Sequence, residues 1–195
     1  MDMDRIMGVL TLKAPTYRQI AEDPNATQLA GIIVAIVTAI SGFFNGLSGV
    51  GGLFPSGNIV LAIIVAVLGA ILGLIGWFVA SWVLAFVAKW FGGKTNTQEM
   101  LRVTGFVSIF GLVGILNVLA LVGLSVVSNC IGFIIAILQI VGYVIGVREA
   151  AEFSTGNAII TAIIAGIINA VIQIVLLSII LTPIAIAMGI ASGGQ

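Results

Sequence analysis

Few residues in this chain have the side chains that catalysis or metal binding requires. The chain has no His and a single Cys, Cys130, which lies in an apolar stretch. A Cys/His zinc site and an internal disulfide are therefore excluded. The segment Gly46-Leu47-Ser48-Gly49 has the GxSG spacing of serine proteases that work inside membranes, but the Ser of such an enzyme needs a His base. We therefore predict no enzyme activity and no catalytic, cofactor-binding or metal-binding residue.

Two pairs of carboxylates stand close together in the sequence. Glu22 and Asp23 are adjacent and point in different directions on a helix, whereas Glu149 and Glu152 share a helix face. We interpret both pairs as solvated charges at helix ends. No carboxylate lies deep within an apolar run, where proton-driven pumps and transporters usually carry one. The sequence therefore argues against proton-coupled transport and leaves passive conduction open.

The composition requires lipid as the solvent of this chain. Hydrophobic residues make up 61% of it and charged residues 7%, with a mean hydropathy of +1.30. Soluble domains are near half apolar and about a quarter charged. Seven basic and seven acidic residues give a net charge of zero, which argues against a nucleic-acid partner. We predict an integral membrane protein with lipid as its first partner.

The apolar runs predict an all-α, polytopic transmembrane bundle with five spans. Each run is long enough to cross the roughly 30 Å hydrocarbon core as a helix. The predicted spans lie at about residues 26–44, 59–88, 101–122, 130–147 and 157–181. Residues 1–25 are predicted to form an amphipathic cytoplasmic or interfacial segment, and residues 26–195 the transmembrane domain. The stretch 123–129 is interpreted as a turn; if it is only a kink, spans three and four form one long helix.

The charged residues fall into three short segments, residues 2–23, 89–102 and 148–152, with seven, four and three charges. Five spans put all three segments on one side of the membrane. Lys and Arg collect on the cytoplasmic side. We therefore predict a cytoplasmic N-terminus, an outside C-terminus and a multi-pass protein of the cytoplasmic (plasma) membrane.

Small and polar residues within the spans are candidates for helix contacts. Small residues let helix backbones approach closely in lipid. They recur at four-residue spacing as Gly42 with Gly46, Gly69 with Gly73, Gly142 with Gly146, and Ala162 with Gly166 and Ala170. We interpret them mainly as internal packing, with a homo-oligomer contact as the alternative.

Four amide side chains form a candidate intramembrane polar cluster: Asn117, Gln139, Asn169 and Gln173. They fit interhelical hydrogen bonds, or the lining of a path for a polar solute. Convergence of these amides on one cavity would favour the path, and pairing between helices would favour packing.

Short sequence motifs occur in three regions of the chain. They are RIMGVL at 5–10 with PTYRQIAEDP at 15–24, KWFGGK at 89–94 with EMLRVTG at 99–105, and REAA at 148–151. With these segments the chain resembles the Yip1 family of small polytopic membrane proteins over about residues 5–182. Many members read Gly-Tyr and a nearby Pro in span three, where this chain has Gly105-Phe106.

The resemblance implies a five-span helical fold with a cytosolic N-terminus and no enzyme activity. Eukaryotic members contact small GTPases and carry a longer hydrophilic N-terminal region. This sequence does not contain that region, so it looks like a prokaryotic member of the family, and the GTPase partner is not carried over.

We expect a non-enzymatic membrane scaffold or adaptor that binds a cytoplasmic or membrane protein through its charged face. The candidate contact residues of this face are Arg18, Lys94, Glu99, Arg102, Arg148 and Glu149. The alternative is a transporter or channel for a small solute or lipid, with the intramembrane amides lining its path.

Overall fold

A computed structural model describes residues 2–49, 56–117, 119 and 123–187, which are helical with no strand among them. The helices are α1 (Asp2–Leu10), α2 (Ala14–Glu22), α3 (Ala26–Leu47), α4 (Ile59–Trp90), α5 (Thr97–Val107), a 3-10 helix (Ser108–Asn117), α6 (Ser125–Ala151) and α7 (Thr155–Ala187). The predicted all-α class is confirmed.

Four helices are long and apolar enough to cross a bilayer. They are Ala26–Leu47, Ile59–Trp90, Val126–Ala151 and Thr155–Val175. Four of the five predicted spans fall on these helices. Large aliphatic side chains stay exposed along them, including Ile71 and Ile167 at about half or more of their surface. Such a surface is suited to contact with acyl chains, as expected of a membrane protein.

The predicted third span, residues 101–122, begins as α5 and continues as the 3-10 helix. Ser108 donates its hydroxyl to the Gly105 carbonyl (2.6 Å), which competes with the α-helical ladder where the helix type changes. Residues 118 and 120–122 lie outside the described part of the chain. This span is therefore less regular than the apolar run indicated.

The predicted turn at 123–129 is shorter in the structure. Gly123 has a φ of 79°, in the region that favours glycine, and α6 begins at Ser125. Residues 125–129 are helical, so that part of the prediction was wrong. The positive φ of Gly123 separates α6 from the segment before it, so α6 is a separate helix.

The centre of the bundle is α5, which packs against α2, α3, α4 and α6. Every residue from Met100 to Val107 is buried. A helix covered by protein on all sides need not be as apolar as a lipid-facing one, so α5 accommodates Arg102 and Thr104.

The glycine pairs serve internal packing. A Cβ on Gly46 would lie 2.6 Å from the Ala62 Cα, and one on Gly69 would lie 2.9 Å from the Thr38 carbonyl oxygen. These contacts join the backbones of α3 and α4. Gly166, by contrast, faces open space.

The N-terminal helices α1 and α2 form an antiparallel hairpin against the bundle. The Tyr17 hydroxyl donates to the Val9 carbonyl (3.0 Å), and Arg5 pairs with Asp23 (2.7 Å) at the open end. Tyr17 is fully buried and lies over Gly146 of α6. One apolar face of this segment thus packs on the protein.

Candidate functional site

The three charged segments, residues 2–23, 89–102 and 148–152, meet at one end of the bundle. We call this region the charged end. Arg18 pairs with Glu152 (2.6 Å), the Lys94 backbone N–H donates to the Ala151 carbonyl (2.9 Å), and Arg102 donates to the Ala21 carbonyl (2.7 Å). Each segment is therefore bonded to the other two.

Arg102 lies inside the protein, with 6% of its surface exposed. Its guanidinium donates from Nη1 to Ala21 O (2.7 Å) and from Nε to Thr27 Oγ1 (2.9 Å), and Nη2 approaches Gln98 Oε1 (3.4 Å). Ala21 is in the last turn of α2, where carbonyls lack helical partners. Arg102 therefore joins α5 to the α2–α3 corner and is not on the exposed face, contrary to expectation.

Glu99 is committed to capping α5. Asn96 Oδ1 accepts from the Glu99 N–H (3.0 Å), and the Glu99 carboxylate accepts from the Asn96 Nδ2 (2.8 Å) and backbone N–H (3.3 Å). This is a reciprocal capping box. The Glu99 carboxylate is therefore bonded within the cap of its own helix. Lys94, just before the cap, is exposed.

Arg18, Arg148 and Glu149 take part in ion pairs at the charged end. Arg18 Nε pairs with Glu22 (2.7 Å) and Arg18 Nη2 with Glu152 (2.6 Å), and these hydrogen bonds raise the pKa of Arg18. Arg148 pairs with its neighbour Glu149 (2.6 Å). Glu149 and Glu152 thus have different partners and do not form a carboxylate pair.

Asp23 is expected to make the stability of the hairpin depend on acid pH, because it pairs with Arg5 (2.7 Å). Its pKa is lowered below 3.8 by the hydrogen bond from Arg5 and then by the Asn25 backbone N–H. Because the pKa of Asp23 is lower in the folded protein than in the unfolded chain, its ionised carboxylate stabilises the fold above pH 3.8. This stabilisation is lost as the pH falls through the pKa of the folded state. We expect the melting temperature of wild type to exceed that of Asp23→Asn by a constant margin above about pH 5. The margin should narrow below pH 3.8, and one that is independent of pH would refute this role.

The exposed part of the charged end includes a groove of about 540 Å³ between α1 and α2. Its lining is polar and carries both signs of charge. The residues are Asp4, Arg5, Thr16, Gln19, Glu22 and Asp23.

A buried polar network connects α4 with α5. Trp77 Nε1 donates to Leu101 O (3.1 Å) and Thr104 Oγ1 (3.0 Å), and Ser81 Oγ lies 2.8 Å from Thr104 Oγ1. The sequence analysis did not predict this network. The four-residue spacing of Trp77 and Ser81 on one helix face was the available signal.

Trp77→Phe removes this indole donor while it keeps an aromatic ring. We expect a loss of about 1 kcal/mol in unfolding free energy, the scale of a hydrogen bond between membrane helices. Trp82→Phe is the matched control, since Trp82 is 52% exposed. Equal stability of the two variants in a denaturation series would refute the role of the network.

Aromatic residues do line the outer surface of α4 near the charged end. Trp82 stacks on Phe86 (centroids 5.7 Å apart), and Phe86 meets Trp90 edge-on (5.3 Å). All three are about half exposed and lie near Lys89. This arrangement is typical of side chains at a membrane–water interface.

Three of the four intramembrane amides line one groove. Gln139 of α6 and Asn169 and Gln173 of α7 border a groove of about 900 Å³ that also reaches Ala80 and Leu84 of α4. Asn169 Nδ2 donates to the Ala165 carbonyl of its own helix (3.2 Å), and its buried Oδ1 has no partner among the described residues. The side chain of Asn117 lies outside what the structure describes.

The described ranges contain no group of three or more His, Cys, Asp or Glu side chains placed to hold a metal ion. Ser48 of the GxSG segment donates its hydroxyl to the Asn45 carbonyl (2.9 Å).

The apolar helices and the charged end define a polytopic helical membrane protein. The family model described as the Yip1 domain matches residues 7–191, nearly the whole chain. The chain belongs to the Yip1 family, and the resemblance read from the sequence is confirmed. This family is not known as an enzyme family. Comparison with curated proteins finds no match, and comparison with solved structures finds none.

Proposed function

We propose that this protein is a non-enzymatic scaffold or adaptor of the cytoplasmic membrane that binds a protein partner through its charged end. The observation that carries the proposal is the mutual bonding of the three charged segments. Segments far apart in sequence thereby form one bonded surface at an end of the bundle. Such a surface suits recognition of another protein.

The proposal includes five crossings, with the N-terminus inside and the C-terminus outside. All seven Lys and Arg residues belong to the charged segments, which favours a cytoplasmic location for that end. Helix α6 returns to the charged end at Arg148, so the chain has to reach the other side between Arg102 and Ser125. A continuous segment Thr97–Asn117 would be about 36 Å long, enough for that crossing.

The residues that we propose to meet the partner are the exposed ones. Lys94 is exposed between α4 and α5, and Arg18 keeps 42% of its side-chain surface accessible beside the α1–α2 groove. The Arg148–Glu149 pair is half-buried at the edge of this surface. Arg102 and Glu99 stabilise this surface through their hydrogen bonds.

Photo-crosslinking in native membranes tests this function. Probes replace Lys94 and Gln19, both exposed at the charged end, and a matched control probe replaces Ser56 in the loop between α3 and α4. We expect the same discrete protein adduct at Lys94 and Gln19 and none at Ser56. Adducts only to lipid, or to this chain itself, would contradict the adaptor.

A second candidate is a path for a small solute or lipid, favoured by the shared groove of Gln139, Asn169 and Gln173. Amide groups in an otherwise apolar groove between helices are suited to guiding a polar group past acyl chains. These are three of the four amides that the sequence-based alternative assigned to its path.

Reconstituted vesicles distinguish this candidate. Lipid scrambling and small-solute flux are measured for wild type, for Asn169→Leu with Gln173→Leu, and for Ile163→Leu, an apolar groove residue. If the groove is such a path, wild type and Ile163→Leu should show flux, and the Asn169→Leu with Gln173→Leu variant should lose it. Equal rates in protein-free vesicles would exclude it.

A further inference from the structure

The α1–α2 hairpin has a direction relative to the membrane. Its open end is at the charged end, where Arg18 meets Glu152 (2.6 Å). Its tip packs on α6 at Gly142, where a Cβ would lie 3.6 Å from Leu12 and 3.1 Å from the Tyr17 hydroxyl. Gly142 precedes Glu152 by about ten residues, or about 15 Å of helix. The tip therefore lies well below the charged end, toward the bilayer centre.

The charged residues of the hairpin lie mainly in its open half and not at its tip. Six of the seven charged residues of segment 2–23 lie in its open half: Asp2, Asp4, Arg5, Arg18, Glu22 and Asp23. Only Lys13 is at the tip, where it is exposed. A Lys side chain extends far enough to return its ammonium group to the headgroups from a shallow position.

One face of α1 stays uncovered. Met3, Met7 and Leu10 are 69%, 52% and 39% exposed, and their spacing places them on one side of the helix. The opposite side holds Val9, which is fully buried. On α6, Ile140 and Val141 beside Gly142 are also exposed, at 64% and 39%. Apolar side chains are therefore exposed at a similar level on α1 and on the spanning helix α6.

We propose that the hairpin inserts tip-first into the leaflet next to the charged end, with Met7 and Leu10 in contact with acyl chains. This leaflet is the inner one if the topology under the proposed function holds. The occupant of the uncovered face is lipid, because that face lies at the depth of lipid-exposed α6 residues. A wedge of this kind occupies area in one leaflet only, so the protein is expected to respond to lipid packing in that leaflet.

Nitroxide accessibility in vesicles of phosphatidylethanolamine and phosphatidylglycerol tests the insertion. Labels are placed at Leu10→Cys and, at the open end, Gln19→Cys, in a Cys130→Ser background. Ile167→Cys on α7, at a position 61% exposed and outside the groove lining, is the lipid-exposed reference. We expect the Leu10 label, like the reference, to collide several-fold more with oxygen than with a water-soluble nickel chelate, at a depth of roughly 5–10 Å. The Gln19 label should show the reverse.

Two results would overturn the insertion. Nickel accessibility at Leu10 equal to that at Gln19 would place the hairpin in water. Protection of Leu10 from both reagents would mean that protein, such as a second copy, covers the face. Neither result depends on orientation across the vesicle membrane or on a protein partner, so the adaptor is tested separately.

Discussion

Arg102→Ala is expected to destabilise the protein by about 3 kcal/mol, because buried acceptors lose a charged donor. The variant leaves the Ala21 carbonyl and the Thr27 hydroxyl without the guanidinium. The junction of α2, α3 and α5 then loses the side chain that hydrogen-bonds these three helices together. The effect should appear as a lower melting temperature in detergent and as loss of the monodisperse peak on gel filtration.

Two further substitutions distinguish this role from a role in partner binding. Arg102→Lys keeps the charge but has one ammonium group for acceptors that the guanidinium contacts from separate nitrogens, so partial rescue is expected. Lys94→Ala, at an exposed position, should leave the melting temperature unchanged. A stable Arg102→Ala protein that has lost only partner binding would contradict the structural role.

Gly42→Ala is expected to cost about 2–3 kcal/mol through overpacking between α3 and α4. The added Cβ would lie 2.6 Å from the Val65 carbonyl oxygen and 3.1 Å from the Ala66 Cα. Both are backbone atoms, which cannot move aside without separating the helices. Thermal unfolding in detergent measures the loss.

Gly166→Ala is the matched control on α7. Nothing lies within 4 Å of the added Cβ, and alanine favours a helix by about 1 kcal/mol over glycine. The two glycine variants should therefore change stability in opposite directions. Equal effects would mean that the close approach of α3 and α4 is not what holds the bundle together.

The sequence predicted the helical class, four membrane helices and the family because these depend on long apolar runs and on short motifs. Span three was harder. Its α5 half is buried by protein, and residues such as Ser108 with glycines nearby permit a change to 3-10 geometry. Hydropathy alone does not record that change.

The charged end shows a different limit of sequence reasoning. Charge identified three segments that the structure brings together, but it did not distinguish the exposed residues of these segments from the buried, hydrogen-bonded ones. Arg102 looked like a surface residue because Lys and Arg usually are. Its burial depends on the Ala21 carbonyl, which comes from a segment 81 residues away. Pairing at that distance is a property of the fold.

Accessibility of single cysteines tests most directly whether the charged segments lie together on the cytoplasmic side. Single cysteines at Gln19, Lys94 and Ser56, in a Cys130→Ser background, are treated with a membrane-impermeant maleimide in intact cells and after lysis. The proposed topology predicts that Ser56→Cys is labelled in intact cells and that Gln19→Cys and Lys94→Cys are labelled only after lysis. Labelling of either of the latter two in intact cells would contradict it.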